Sequence, residues 1–166
     1  QRSLELAASY LKEQGFEPLI LSSMIEGDTD QAAGLHTAIV RQILAYDQPL
    51  KRPCAILSGG ETTVMIKGTG TGGPNTQFML SAAIGLAGMY NVYALACDTD
   101  GIDGAQDNAG AYIDPTTLVR ARDCGVSAKE CLANNDSELF FSTVNGLITP
   151  GPTYTNVNDF RVFLLP

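Results

Sequence analysis

Apolar residues recur at helical spacing in the first segment, where Leu4, Ala7, Ala8 and Leu11 share a face, Ser3 can cap and Gly15 can terminate. The spacing predicts an amphipathic helix over 3–14. Leu19, Ile20 and Leu21 form a short continuous apolar run, a buried strand over 18–22, and Leu35, Ile39 and Ile43 mark a second helix over 30–45. After the Lys51-Arg52-Pro53 break, β-rich runs at 54–57 and 62–66 read as two strands joined by a turn at Ser58-Gly59-Gly60-Glu61. Glycines fill 68–73. Pro74 then stands at a favoured first helical position, and an Ala/Leu/Met-rich helix runs to about 87. A strand over 92–97 leads into an aspartate-rich loop. Short helices follow at 115–124, 127–132 and 136–143, then a turn-rich tail at 149–159 and a last strand at 160–165. Strands alternating with helices predict an α/β layered fold with a mixed β-sheet flanked by helices.

Composition narrows the function classes. The chain has 166 residues, ten basic against eighteen acidic, for a net charge of −8, which argues against nucleic acid and anionic membrane surfaces as partners. The longest apolar stretch, 78–89, is too short and too interrupted to span a bilayer. Cys54, Cys97, Cys124 and Cys131 show no metal-type spacing and read as reduced core thiols, so a cytoplasmic location is expected. No signal peptide is visible, and a start at Gln1 rather than Met suggests a fragment.

Four segments could carry chemistry. Gly68-Thr69-Gly70-Thr71-Gly72-Gly73 fits G-x-G-x-x-G between a strand and a helix, a place where backbone N–H groups bind phosphate or where glycines serve close packing. It lacks the Gly-Lys-Ser/Thr ending of a P-loop. Asp98-Thr99-Asp100-Gly101-Ile102-Asp103-Gly104 follows a buried strand; its carboxylates either orient Mg²⁺ or a hydroxyl, or close a self-bonded turn. The spacing is wrong for a calcium loop. Glu61 sits beside glycines that permit close approach, and Thr153, Thr155, Asn156, Asn158 and Asp159 form a neutral loop suited to hydroxyls or phosphate oxygens, or simply to capping turns. His36, the one histidine, sits mid-helix without a sequence partner and reads as a packing or solvated residue, so no Ser/His/Asp triad is expected.

Taken in order, Ser58-Gly-Gly-Glu-Thr-Thr-Val64, Gly70-x-Gly-Gly-x-Asn75, Asp100-Gly-x-Asp-Gly104, Asn134-Asn-Asp136 and Gly151-Pro-Thr-x-Thr-Asn-Val-Asn-Asp159 resemble the MOFRL domain. That domain is the C-terminal lobe of glycerate 2-kinases, whose members also go by hydroxypyruvate reductase. The resemblance covers 52–166; residues 1–51 are similar to the helix-strand-helix segment that joins a larger N-terminal lobe. It implies ATP-dependent phosphorylation of the 2-hydroxyl of D-glycerate, with Mg²⁺, in a cleft between lobes. Glu61, Asp100 and Asp103 would then be catalytic, with Asp100 and Asp103 on the metal. Ser58, Gly59, Gly60, Gly70, Gly72, Gly73, Asn75, Thr153, Thr155, Asn156 and Asn158 would contact nucleotide or substrate. No Lys or Arg occurs between Gly68 and Val119, so the cations would come from Mg²⁺ and from the N-terminal lobe, and this chain alone would be inactive. The family's Gly-Gly-Arg-Asn-Gln-Glu reads Gly72-Gly73-Pro74-Asn75-Thr76-Gln77 here, which removes an anion-binding Arg and implies weaker activity or another substrate. Two other readings stand beside this one. An NAD(P)-dependent hydroxypyruvate reductase would place pyrophosphate on the glycine loop and a ribose on Asp98, although Pro74 opens the helix after the third glycine. A non-catalytic binding or oligomerisation module, including a homodimer, would use apolar surface left open.

Overall fold

The computed structural model describes residues 1–104 and 107–166. A mixed sheet of six strands lies between two unequal helical layers. Helix α1 (Arg2–Glu13) leads into strand β1 (Glu17–Asp28), and helix α2 (Thr29–Tyr46) into strand β2 (Cys54–Thr63). Helix α3 (Pro74–Gly85), strand β3 (Tyr93–Asp98) and strand β4 (Gly110–Ile113) precede three short helices, α4 (Thr117–Asp123), α5 (Ala128–Ala133) and α6 (Ser137–Thr143). Strands β5 (Leu147–Ile148) and β6 (Asp159–Leu165) close the chain.

The strands lie in the order β1-β2-β6-β3-β4-β5, with β1 parallel to β2 and each later neighbour antiparallel. The expected layered fold is therefore present, with residues 1–51 supplying an edge strand of the common sheet. Alternation along the strands sorts the side chains. Cys54, Ile56, Ala94, Ala96, Phe163 and Leu165 face α2 and α3 in the main core, with Phe78, Met79, Phe140 and Phe141. Leu57 and Val162 face the other way, against Leu4 of α1.

Several sequence expectations need correction. The segment 58–61 is not a turn: β2 runs through it without a break, and 64–66 lies outside any strand. Gly60 (φ 132°) has no room for a side chain, because a Cβ there would collide with the Ile25 backbone, so its glycine permits the β1–β2 contact. Strand β1 continues to Asp28 across two register shifts, which hid its length from a simple apolar count. Strands β4 and β5 were missed because they are short and begin with Gly110 and Ala111 or consist of only two residues. All four cysteines are free, but Cys124 is exposed and only Cys54 and Cys131 are buried.

Candidate functional site

The glycine loop lies against the Asn134–Ser137 turn, and that contact accounts for most of its N–H groups. Asn135 Oδ1 accepts from the amides of Lys67 (2.6 Å) and Gly68 (3.0 Å), and Asn134 Oδ1 accepts from Thr69 (3.1 Å). The Asn134 carbonyl accepts from Gly70 (2.9 Å), Asp136 Oδ1 from Thr71 (3.1 Å), and Thr76 Oγ1 from Gly73 (2.9 Å). A Cβ on Gly70 would strike Asp136, and one on Gly73 would strike Asp103. A phosphate cradle needs convergent free donors. Here the close-packing alternative accounts for the glycines, and the Asn134-Asn-Asp136 motif is what they pack on.

Asp103 is 1% exposed, and its carboxylate caps α3. Oδ1 accepts from the Asn75 amide (2.9 Å) and Oδ2 from the Thr76 amide (2.8 Å), a favourable place for negative charge at a helix start. Burial pushes its carboxyl above the usual range, and these bonds pull it back. Asn75 joins two acids: its Nδ2 also donates to Asp159 Oδ1 at 2.7 Å and to Asp103 Oδ1 at 3.3 Å. Asp159 in turn pairs with Arg161, which is fully buried, donates to Thr62 Oγ1 (3.1 Å) and stacks over the Phe78 ring. Arg161 and Asp159 were missed as a pair because an i, i+2 spacing on one strand face is visible only once the strand is known. Pro74 and Gln77, which stand where the family has Arg and Glu, have local roles: Pro74 starts α3, and Gln77 donates its Nε2 hydrogens to Asp30 at 3.2 Å. A Glu at 77 would put two carboxylates together there.

The aspartate loop behaves differently. Asp98 Oδ1 accepts from the Asp100 amide (2.9 Å) and Asp100 Oδ1 from the Ile102 amide (2.8 Å), two Asx-type turns in succession. The two side chains also lie within hydrogen-bonding reach of each other, so Asp98 and Asp100 form a carboxyl pair. Asp98 lies opposite Asp159 in the β3–β6 register. Burial, then the neighbouring Asp100 and Asp159 charges, push the Asp98 carboxyl up to about 6. The 149–158 loop is fastened to this turn: the Thr153 amide donates to the Asp100 carbonyl (2.9 Å), and Thr99 donates through its hydroxyl to the Asn158 carbonyl (2.9 Å). Asp100, Pro152, Tyr154, Thr155 and Asn156 thereby line one open depression.

The other candidates fall around this centre. Gly59 and Gly60 share a small crevice with Thr99, Val157 and Asp159, so the β2 glycines do meet the aspartate loop. Ser58 points into the core, where its hydroxyl meets His36 Nε2 at 2.8 Å. His36 Nδ1 lies 2.7 Å from the Ala32 carbonyl and must donate to it, so Nε2 accepts from Ser58. Burial holds the imidazole neutral. His36 therefore has a partner that its sequence neighbourhood did not reveal, and the role is packing. Glu61 is exposed, lies beside Glu26 in the β1–β2 register, and makes no hydrogen bond among the described residues.

Among the described residues no three His, Cys, Asp or Glu side chains converge as a metal cage. Mg²⁺ does not need one, since it commonly takes one or two carboxylates and completes its shell with water and phosphate. The carboxyl pair of Asp98 and Asp100 fits that donor chemistry, and a cation would offset the neighbouring negative charge that adds to burial in raising the Asp98 carboxyl.

Comparison with known proteins matches residues 54–159 to the MOFRL family. A protein of Agrobacterium vitis provisionally named hydroxypyruvate reductase is 41% identical over 98% of this chain and 38% of its own length. The D-glycerate 2-kinase of Thermotoga maritima is 37% identical over 99% of this chain and 40% of its own length. The crystal structure of a glycerate kinase from Thermotoga maritima superposes with a TM-score of 0.95 at 37% identity, over 98% of this chain and 39% of that one. The chain spans about two fifths of the length of these relatives.

Proposed function

The chain belongs to the MOFRL family, and from that premise we propose that it forms the C-terminal part of a D-glycerate 2-kinase, acting with a further lobe of the kind its longer relatives possess. The observation that carries this reading is the match to the Thermotoga maritima kinase across nearly the whole chain in both sequence and backbone. The reaction moves the γ-phosphoryl group of ATP to the 2-hydroxyl of D-glycerate.

In this reading Asp98 and Asp100 hold Mg²⁺ through their paired carboxylates. When bound, the ion would neutralise charge on the transferring phosphoryl group. Thr155 and Asn156 line the depression beside Asp100, where they orient substrate or phosphate oxygens, while Thr153, bonded through its hydroxyl to the Thr99 and Thr155 carbonyls, and Asn158 hold that loop in place. Gly59 and Gly60 let a ligand approach the β2 backbone, and Glu61 is retained as a group that could take a proton from the hydroxyl if the other lobe closes over it. Asp103, Asn75, Asp159 and Arg161 act at one remove, holding the start of α3 and the aspartate turn in register. The glycines 70, 72 and 73 shape that support.

Phosphoryl transfer also needs cations. Arg161 is buried in its own ion pair, and Pro74 offers none, so the remaining positive charge belongs to the further lobe. The reductase reading is weaker, because among the described residues the amides of Gly68 to Thr71 and of Gly73 already donate to partners within the protein, which leaves a pyrophosphate few donors in the glycine loop. The test is a coupled ADP-release assay with D-glycerate and Mg-ATP. The 166-residue chain alone is expected to show no turnover, and the chain joined behind the N-terminal three fifths of the Thermotoga maritima kinase is expected to show Asp100-dependent turnover. Brisk activity of the chain alone, or NADH-linked reduction of hydroxypyruvate by the joined protein, would overturn the proposal.

A further inference from the structure

The two faces of the sheet are unequally covered. Helices α2 to α6 pack on one, while among the described residues α1 covers the other and lies over β1 and β2. Beyond α1 the surface is apolar and open. Tyr93 and Leu95 of β3, Val162 and Leu164 of β6 and Tyr112 of β4 lie on this face, joined by the pairs Tyr93↔Leu164, Leu95↔Val162 and Leu95↔Tyr112. They line a hollow of about 330 Å³, in which Tyr93 is 43% and Tyr112 37% exposed.

We propose that this hollow is the seat of an amphipathic helix from the polypeptide that precedes α1 in the longer members of the family. Three observations select that occupant. Three adjacent strands present a strip roughly 10 Å wide, the diameter of one helix. That strip is well below the ~800 Å² per partner of a stable interface between folded chains, so it suits a single helix better than a second copy. Gln1 lies in the crevice with Gly59, Val157 and Phe160, and Phe160 is two residues before Val162 on β6, so the start of α1 lies near one end of the hollow. The relatives that match this chain over its whole length are some two and a half times longer, so such chain exists in them. A helix there would lie alongside α1 and complete the second layer. This inference rests on family membership and on the open face, and holds whether or not the reaction is the one proposed above.

The test places a polarity-sensitive dye at Tyr93→Cys in a Cys97→Ser, Cys124→Ser background, which removes the exposed native thiol and the half-buried one on the same strand. In the 166-residue chain the dye should emit as in water and be quenched by iodide. In the chain joined behind the N-terminal three fifths of the Thermotoga maritima kinase, emission should shift to the blue and iodide quenching fall at least about fivefold, with a particle mass that does not depend on the label. Should the joined protein fail to fold, the same label at the aligned position of the intact Thermotoga maritima kinase gives the same readout. Unchanged quenching in a folded long protein would overturn the proposal, as would shielding that is already present in the short chain and tracks a doubled mass.

Discussion

The glycine loop and the aspartate turn meet at Asp103, and they use their polar groups in opposite ways. In the loop, the amides from Lys67 to Thr71 and that of Gly73 donate inward, mostly to Asn134, Asn135 and Asp136. In the turn, Asp98 and Asp100 each satisfy one backbone amide and lie paired beside the 149–158 loop. A glycine motif between a strand and a helix thus describes backbone freedom, which serves either a ligand or a neighbouring turn. Counting which donors remain unpaired separates the two uses.

The contrast breaks most severely at Gly73→Ala. The added methyl would meet the Asp103 backbone and carboxylate, so a loss of about 3 kcal/mol or more is expected in urea denaturation. A variant within about 0.5 kcal/mol of the parent would mean that the loop is loose enough to rearrange for a ligand. Asn135→Ala should cost about 2 kcal/mol, because it removes an acceptor for two amides and the donor to the Met65 carbonyl.

At the turn the expected changes are smaller and depend on pH. The Asp98 carboxyl is raised to about 6, so between its unfolded value near 4 and that point the folded protein holds the proton more tightly, and stability falls as pH rises. Asp98→Asn should therefore raise Tm at pH 7.5 by about 3 °C, after allowance for solvent screening, and the gain should shrink to nothing near pH 4. A gain independent of pH would show that Asp98 titrates normally. The same carboxylate should bind Mn²⁺ more tightly as pH rises through 6. Asp100→Asn should leave stability within about 0.5 kcal/mol while weakening Mn²⁺ binding at least about tenfold, as measured by paramagnetic broadening. Equal Mn²⁺ binding in parent and variant would remove Asp100 from the proposed metal site.

Much of this architecture was legible in the chain. The helices at 3–14, 30–45 and 74–87 show in their apolar spacing, and the structure places them within about two residues of those bounds, although α1 begins at Arg2 and Ser3 lies inside it instead of capping it. The interior of β2 was not legible, because Ser58-Gly59-Gly60 has the composition of a turn and becomes a strand only when the Ile25 backbone lies against it. The five motifs of the resemblance led to the right family. What they could not convey was which residues face inward: Asp103 has the look of a metal ligand until the amides of Asn75 and Thr76 are seen on its two oxygens. Arg161 and Asp159 gained meaning only from a strand face, and His36 from a serine 22 positions away.

The contrast between loop and turn is tested most directly by amide NMR of the 166-residue chain titrated with ATP and Mg²⁺, with trace Mn²⁺ as a relaxation probe. The account predicts shifts and broadening at Thr99 to Ile102 and at Thr153 to Asn158, with the amides of Gly68, Gly70 and Gly73 unmoved. Displacement of those glycine amides, with the aspartate turn left unbroadened, would contradict it and return the phosphate to the glycine loop.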